Sequence, residues 1–221
     1  MKKREFVDYC LQGMSKEPYK KIGSASAPMN IALVKYWGKR NTELNLPVTS
    51  SLSVSLSLKT STTVEVISHD IFDRDLIELD GVSVQEGSTF YTRLVFFLDL
   101  FRPTPTTLFH VTTKNDMATA AGLASSASGF AALVLALDDL FAWQLPKEKL
   151  SLLARLGSGS ACRSIFSGFV LWNKGKREDG LDSFATPLLE TWPELSMAYI
   201  PVSSEQKPIS STKAMQQTVA T

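Results

Sequence analysis

The stretch Ala118-Thr119-Ala120-Ala121-Gly122-Leu123-Ala124-Ser125-Ser126-Ala127-Ser128-Gly129-Phe130-Ala131-Ala132 decides how the rest of the sequence is read. Its small side chains let the backbone come close to a ligand, and the adjacent hydroxyls of Ser125 and Ser126 can hydrogen-bond to it. Residues 130–140, dense in Ala and Leu, are good helix formers. The pattern predicts a loop feeding a helix start, where the first N–H groups lack intrahelical partners and carry the positive end of the macrodipole, a setting that suits phosphate. Runs of Ala, Gly and Ser also occur where a helix packs closely on a sheet, and residue types alone leave both readings open. Two features favour the anion cradle. Gly122 precedes the serine pair in a compact turn, and a second Ser/Gly-rich stretch, Gly157-Ser158-Gly159-Ser160-Ala161-Cys162-Arg163, ends in a cation. The loop is not of the Walker A type, because no Lys-Ser or Lys-Thr follows the glycine at the required spacing.

The 221 residues suffice for one large domain, or one domain and part of another, with a substantial core. With 23 basic and 22 acidic residues the formal charge is +1, which argues against a nucleic-acid-binding surface. Cys10 and Cys162 are too few and too far apart for a disulfide framework, so a reducing, cytoplasmic setting is expected. His69 and His110 have no neighbouring ligand at metal-site spacing. No apolar run is long enough to cross a bilayer, and no membrane partner is expected. Residues 2–12 alternate charged and apolar positions at helical spacing and predict an amphipathic helix docked on the domain, not a targeting peptide.

Upstream of the central stretch, residues 23–26 read as a linker and 28–34 as a short buried strand that delivers Asn30 and Lys35. The following Lys35-Tyr36-Trp37-Gly38-Lys39-Arg40 packs three cations and two aromatics into six residues. Aromatics favour burial and cations favour water or an anion, so the run reads either as a surface loop or as an aromatic-lined pocket aimed at phosphate or carboxylate. Asn45-Leu46-Pro47 predicts a turn. Residues 51–58 and 59–68 predict two successive strands, and Asp80-Gly81 a hairpin. Arg74 precedes that hairpin, where surface ion pairing is its ordinary role. Residues 90–101 and 147–156 predict helices; 108–113, 167–172 and 197–202 predict strands; a last helix opens at 213. The mixed order, without regular βαβ alternation, favours an α+β domain.

Four of these stretches together resemble the diphosphomevalonate decarboxylases of the GHMP kinase superfamily: Asn30 to Arg40 with its Lys-Tyr-Trp-Gly-Lys core, the loop from Thr119 to Ser126, Gly157 to Arg163, and Ser210 to Met215. The resemblance implies a GHMP-kinase-type N-terminal domain, ribosomal protein S5 domain 2-like, over residues 1–190. Residues 191–221 would begin a truncated ferredoxin-like C-terminal domain. It implies ATP and Mg²⁺ as cofactors, mevalonate 5-diphosphate as the small-molecule partner, and a cytoplasmic homodimer. By family analogy Lys35, Arg163 and Asn30 are catalytic, with Arg163 holding the substrate carboxylate and Asn30 positioning Arg163. Tyr36, Trp37, Gly38, Lys39, Ser158, Gly159, Ser160, Ala161, Cys162 and Thr212 line the substrate site, Cys162 as a packing residue and not a nucleophile. The match also moves Arg74 from the surface to the substrate diphosphate. Gly122, Leu123, Ala124, Ser125 and Ser126 would hold the ATP phosphates, with Ser126 reaching Mg²⁺. Two departures stand out. Ala118 occupies a position where the family loop has proline, and no segment matches the family's Asp-Ala-Gly-Pro-Asn motif, whose Asp is the expected base. The rival expectations are a related mevalonate or phosphomevalonate kinase or decarboxylase, and a truncated, non-catalytic protein that binds nucleotide or isoprenoid phosphate.

Overall fold

The structure is a computed structural model describing residues 1–116 and 125–198, with only the backbone of Ser125. Gly122, Leu123, Ala124 and Thr212, the expected strand beyond residue 198 and the helix expected from residue 213 lie outside the described residues.

In chain order the elements are α1 (Lys3–Cys10), β1 (Ile22–Val34), β2 (Lys39–Asn41), β3 (Leu46–Pro47), β4 (Ser51–Ile67), β5 (Leu76–Leu79), β6 (Val82–Ser83), α2 (Thr89–Asp99), β7 (Leu108–Asn115), α3 (Ser125–Phe141), α4 (Lys147–Gly157), a 3-10 helix (Gly159–Ile165), β8 (Phe169–Trp172) and β9 (Ala185–Pro187). Strand β4 organises the sheet. Strand β1 pairs antiparallel along one edge of it, while β7 and β8 take successive lengths of the other. The small hairpin β5–β6 joins β7 through the parallel β5 pairing, and β9 closes the far side on β8. Helix α3 crosses beneath β1 and β4 and touches both the 3-10 helix and α4. Its Ala127, Ala131, Leu133, Ala136, Leu137 and Leu140 are all buried, as a helix apolar on most sides must be. The α+β expectation holds, and the hairpin at Asp80-Gly81 and the helices at α1, α2 and α4 form where the sequence puts them.

Three local readings change. Residues 23–26 are not a linker but the first half of β1. Their small polar composition has two causes. The hydroxyls of Ser24 and Ser26 pair with those of Thr63 and Ser61 across the open face of the sheet (3.0 and 2.8 Å). At Gly23, meanwhile, a Cβ would stand 2.3 Å from the Ala136 carbonyl oxygen of α3, so only glycine lets the helix approach. Second, residues 51–68 form one continuous strand and not two. Burial along β4 falls on odd positions at Ser51 and Ser53 and on even positions at Thr60, Thr62 and Val64. The phase changes between these stretches, where the β1 pairing runs from Pro28↔Lys59 to Asn30↔Ser55, two steps of one strand against four of the other, an irregularity that breaks the alternation of faces. The break in alternation is therefore real, but it is an irregularity and not an end. Third, Leu46–Pro47 is a short strand against Lys39–Asn41, and the Ser/Gly-rich stretch after α4 is wound into the 3-10 helix.

Candidate functional site

Asn30 leaves β1 on its buried side, Ser51 opens β4, and Arg163 rises from the 3-10 helix; these three meet, with Ser53 buried two residues further along β4. Arg163 is 3% exposed, yet its partners are all neutral. Its Nη1 donates to Ser51 Oγ (2.7 Å) and its Nη2 to Asn30 Oδ1 (3.1 Å). Asn30 in turn donates through Nδ2 to Ser164 Oγ (2.7 Å) and the Ser160 carbonyl (3.3 Å), so one amide side chain orients the guanidinium and pins the 3-10 helix that carries it. Arg163 Nε and Ser53 Oγ are buried with no hydrogen-bond partner among the described residues. Burial lowers the Arg163 pKa from its ordinary value, and no carboxylate opposes that effect. Arg163 is thus a buried cation held by dipoles with no counter-charge beside it.

The motif around Tyr36 closes one side. The Tyr36 ring meets Trp172 edge-on (4.8 Å, 73°), and a Cβ at Gly159 would lie 2.8 Å from the Tyr36 hydroxyl, so the glycine is what lets the aromatic seat there. Burial raises the Tyr36 pKa and keeps the phenol protonated. Lys39 Nζ donates to Asn45 Oδ1 (2.7 Å), and burial, then the charges of Arg93 and Lys3, lower its pKa. Gly38 is buried, while Lys35 and Trp37 are exposed, at the open end of the same loop. Ser158 and Ser160 are half-buried with their hydroxyls 3.4 Å apart, and Ala161 is buried beneath them. Cys162 is fully buried, donates from Sγ to the Gly159 carbonyl and has its thiol pushed up to about 12 by burial, which leaves it a packing residue.

Ser126 is exposed at the start of α3 and lines a hollow of about 420 Å³ with Ser88, Arg93, Asn115, Gly129 and Phe130. Arg93 connects this hollow to the Gly157–Arg163 stretch: its Nη2 donates to the Gly157 carbonyl (2.6 Å), and its guanidinium lies 4.8 Å from the centre of the Phe130 ring. The sequence reading missed Arg93. The available signal was one cation inside the otherwise uncharged run Thr89 to Leu98 of α2.

Arg74 lies apart from these residues. It lies before β5, half-exposed, paired with Glu86 (3.2 Å) and Asp73 (3.6 Å), and lines a separate hollow of about 580 Å³ with Asp75, Tyr91, Asp99 and Arg102. Tyr91 and Arg93 differ by two positions, about 200° around a helix, so α2 stands between Arg74 and the site. Its ion pairs with Glu86 and Asp73 are those of a half-exposed surface arginine. Arg155, also missed, is fully buried and structural: it donates to the carbonyls of Leu44 (3.0 Å), Gly180 (2.8 Å) and Ser183, and burial lowers its pKa to about 10. Among the described residues no group of His, Cys, Asp and Glu is placed to hold a metal ion, and no helix is long and apolar enough to cross a membrane.

Comparison with known proteins agrees with this geometry. Residues 27–185 match a family model described as the diphosphomevalonate decarboxylase-like N-terminal domain. The chain is 44% identical over 216 residues to a diphosphomevalonate decarboxylase of Saccharomyces cerevisiae, covering 90% of this chain and 54% of that protein. It is also 44% identical over 221 residues to that of Bos taurus, with 90% and 53% covered. A solved structure, MDDEF in complex with MVAPP, AMPPCP and magnesium, superposes with a TM-score of 0.74 at 42% identity, covering 90% of this chain and 61% of that one. The chain thus spans about half the length of the curated relatives it matches.

Proposed function

The chain belongs to the diphosphomevalonate decarboxylase-like family, and from that premise we propose that it supplies the substrate site of an ATP-dependent decarboxylase acting on mevalonate 5-diphosphate. The products are isopentenyl diphosphate, CO₂, ADP and phosphate. The observation that carries the reading is Arg163: a buried guanidinium with an unused donor and no carboxylate beside it.

The chemistry asks for such a group. A tertiary hydroxyl leaves poorly, so ATP first phosphorylates it. The C–O bond then breaks with its electrons leaving on phosphate, the C–C bond to the carboxylate breaks to release CO₂, and that electron pair forms the new C=C bond. Arg163 holds and orients the carboxylate while Ser51 and Asn30 keep the guanidinium fixed, so little reorganisation is needed as charge moves. Ser158 and Ser160 donate to the substrate, and Tyr36, Trp37, Gly38 and Lys39 form the wall that excludes water. Lys35, at the open end of that wall, stabilises charge developing at the reacting centre once the rest of the protein covers it. ATP takes the hollow at the start of α3, where the serine hydroxyls and helix N-terminus fit a phosphate chain. Ser126 is the residue on this chain that would contact Mg²⁺, which supplies charge neutralisation between phosphates. MDDEF binds MVAPP, AMPPCP and magnesium together, which supports this assignment of ligands. A cytoplasmic homodimer belongs to the same reading.

The test is release of ADP and CO₂ in equal amounts from mevalonate 5-diphosphate by the protein that carries this chain. Mevalonate 5-phosphate should be turned over far more slowly. Binding of ATP without turnover of either compound would overturn the reading in favour of a non-catalytic nucleotide-binding protein.

A further inference from the structure

Four elements meet behind the hollow at the start of α3, and one buried hydroxyl joins them. Thr60 of β4 stands directly opposite Asn115 of β7 in the sheet and is 1% exposed. Its Oγ1 lies 2.7 Å from Asn115 Oδ1 and 2.6 Å from Ser128 Oγ in the first turn of α3. The partners settle where the protons are. Asn115 Nδ2 faces the carboxylate of Asp80 at the tip of the β5–β6 hairpin (3.4 Å), an acceptor, so the amide oxygen is the atom turned to Thr60. That oxygen also accepts only. Thr60 therefore gives its one proton to Asn115, and Ser128 donates to Thr60.

The row Asp80, Asn115, Thr60, Ser128 thus ties a hairpin tip, a strand end and a helix start to the middle of β4. The backbone reinforces it: Asn115 N–H donates to Asp80 Oδ1 (2.8 Å), Asp116 N–H to the Lys59 carbonyl (3.0 Å) and Lys59 N–H to Asp116 Oδ2 (2.7 Å). Two of these attachments bear on the hollow of about 420 Å³. Asn115 is part of its wall, and the bond from Thr60 sets the orientation of that amide. Ser128 sets the rotation of α3. Ser126 and Ser128 are two positions apart, about 200° around a helix, so drawing the buried Ser128 onto β4 turns the exposed Ser126 to the hollow. Beside Ser128 the helix packs through Ala127, Phe130 and Ala131, all buried. Apolar contact of that kind has no preferred direction, whereas a hydrogen bond has one.

We propose that Thr60, buried behind the hollow, is a positioning residue for nucleotide binding: its hydroxyl holds Asn115 and the first turn of α3 in the arrangement that receives ATP. This deepens the assignment of ATP to the hollow and rests on it. The test is calorimetric titration of AMPPCP with magnesium into the protein that carries this chain, as wild type, Thr60→Val, Thr60→Ser and Ser128→Ala, with KM measured for ATP and for mevalonate 5-diphosphate. Thr60→Val keeps the shape and removes the hydroxyl. It should weaken AMPPCP about tenfold and raise the KM for ATP in step, while the KM for mevalonate 5-diphosphate stays within about twofold of wild type. Thr60→Ser should bind within about threefold of wild type, and Ser128→Ala should cost about threefold, since it loosens the helix and leaves Asn115 held. Unchanged AMPPCP affinity in Thr60→Val, or in Ser128→Ala where the valine variant does not fold, overturns the proposal. So does an equal rise in both KM values, the mark of a general loosening, and so does a serine variant as weak as the valine one. If the wild type takes up no AMPPCP, the assignment of ATP to the hollow falls and the proposal with it. If the wild type binds and the variants bind equally well, the proposal falls alone.

Discussion

Arg102 and Arg163 are buried to nearly the same degree, 7% and 3% exposed, and they are opposites electrostatically. Arg102 Nη2 and Nη1 reach the two oxygens of Asp75 (2.6 and 3.1 Å), while its Nε reaches Asp99 (2.8 Å). Burial works against the Arg102 charge, but the hydrogen bonds and charges of Asp75 and then Asp99 outweigh it and raise the pKa. Arg163 meets only a serine and an asparagine, and burial lowers its pKa. A buried arginine whose fork is filled by a carboxylate is part of the framework. A fork held only by dipoles with a donor left over is not enough to mark a binding group, as Arg155 shows with its three carbonyl partners and unpartnered Nη2; Arg163 differs in standing beside the Tyr36 loop and the Ser158–Ser160 turn. The difference is in the partner and not in the depth, which is why burial alone would not have separated them.

The largest effect expected from this contrast is on turnover. Arg163→Met removes the group proposed to hold the substrate carboxylate and should lower kcat/KM by about 10³-fold or more. It also removes an uncompensated buried charge, so the melting temperature should stay level or rise. A variant that loses its fold along with its activity would place Arg163 in the framework and break the contrast. Arg102→Met is the mirror image. It leaves Asp75 buried with only the Phe109 N–H (2.8 Å) and should destabilise the protein by about 3–5 kcal/mol in urea titration, with the substrate KM unmoved. The smallest and sharpest change is Asn30→Asp. It supplies Arg163 with an anion of its own and so turns the pit into a copy of the Arg102 pair. Thermal stability should change little, because the new ion pair is offset by the lost Nδ2 donation to the Ser160 carbonyl, and affinity for mevalonate 5-diphosphate should fall about tenfold. Unchanged affinity in that variant would mean that the guanidinium does not receive the substrate.

What the sequence made legible follows the same division. Contiguous motifs were readable because the chemistry and the spacing sit in neighbouring residues: Lys35 to Arg40 and Gly157 to Arg163 each announce a cation among small or aromatic side chains. The Asp80-Gly81 hairpin and the apolar α3 were readable from turn chemistry and composition. Partners supplied by remote strands were not. Ser51 looks like any serine of an alternating strand, and only the sheet register brings it to Arg163, 112 positions away. Arg93 and Arg74 show the same limit from two sides. Each is a single cation near the β5–β6 hairpin, and the fold sets Arg93 beside the Gly157 carbonyl and Arg74 beside Glu86. The linker reading of residues 23–26 failed because small polar residues serve a chain that bends and a strand pressed against a helix equally well.

The change of phase within β4 carries a last consequence. Ser51 grips Arg163 at one end of this strand, and at the other Thr60 shares a hydrogen bond with Ser128 of α3 (2.6 Å), just past the helix start that fronts the 420 Å³ hollow. Nine steps separate these anchors, about 30 Å of extended backbone, and both are buried only because the alternation of faces breaks at the irregularity between Ser55 and Lys59. Adding or deleting one residue there is consequently not a graded perturbation. It would turn one anchor outward while leaving the other seated, so the length of this segment behaves as a parity condition that evolution or an engineer can satisfy only in steps of two.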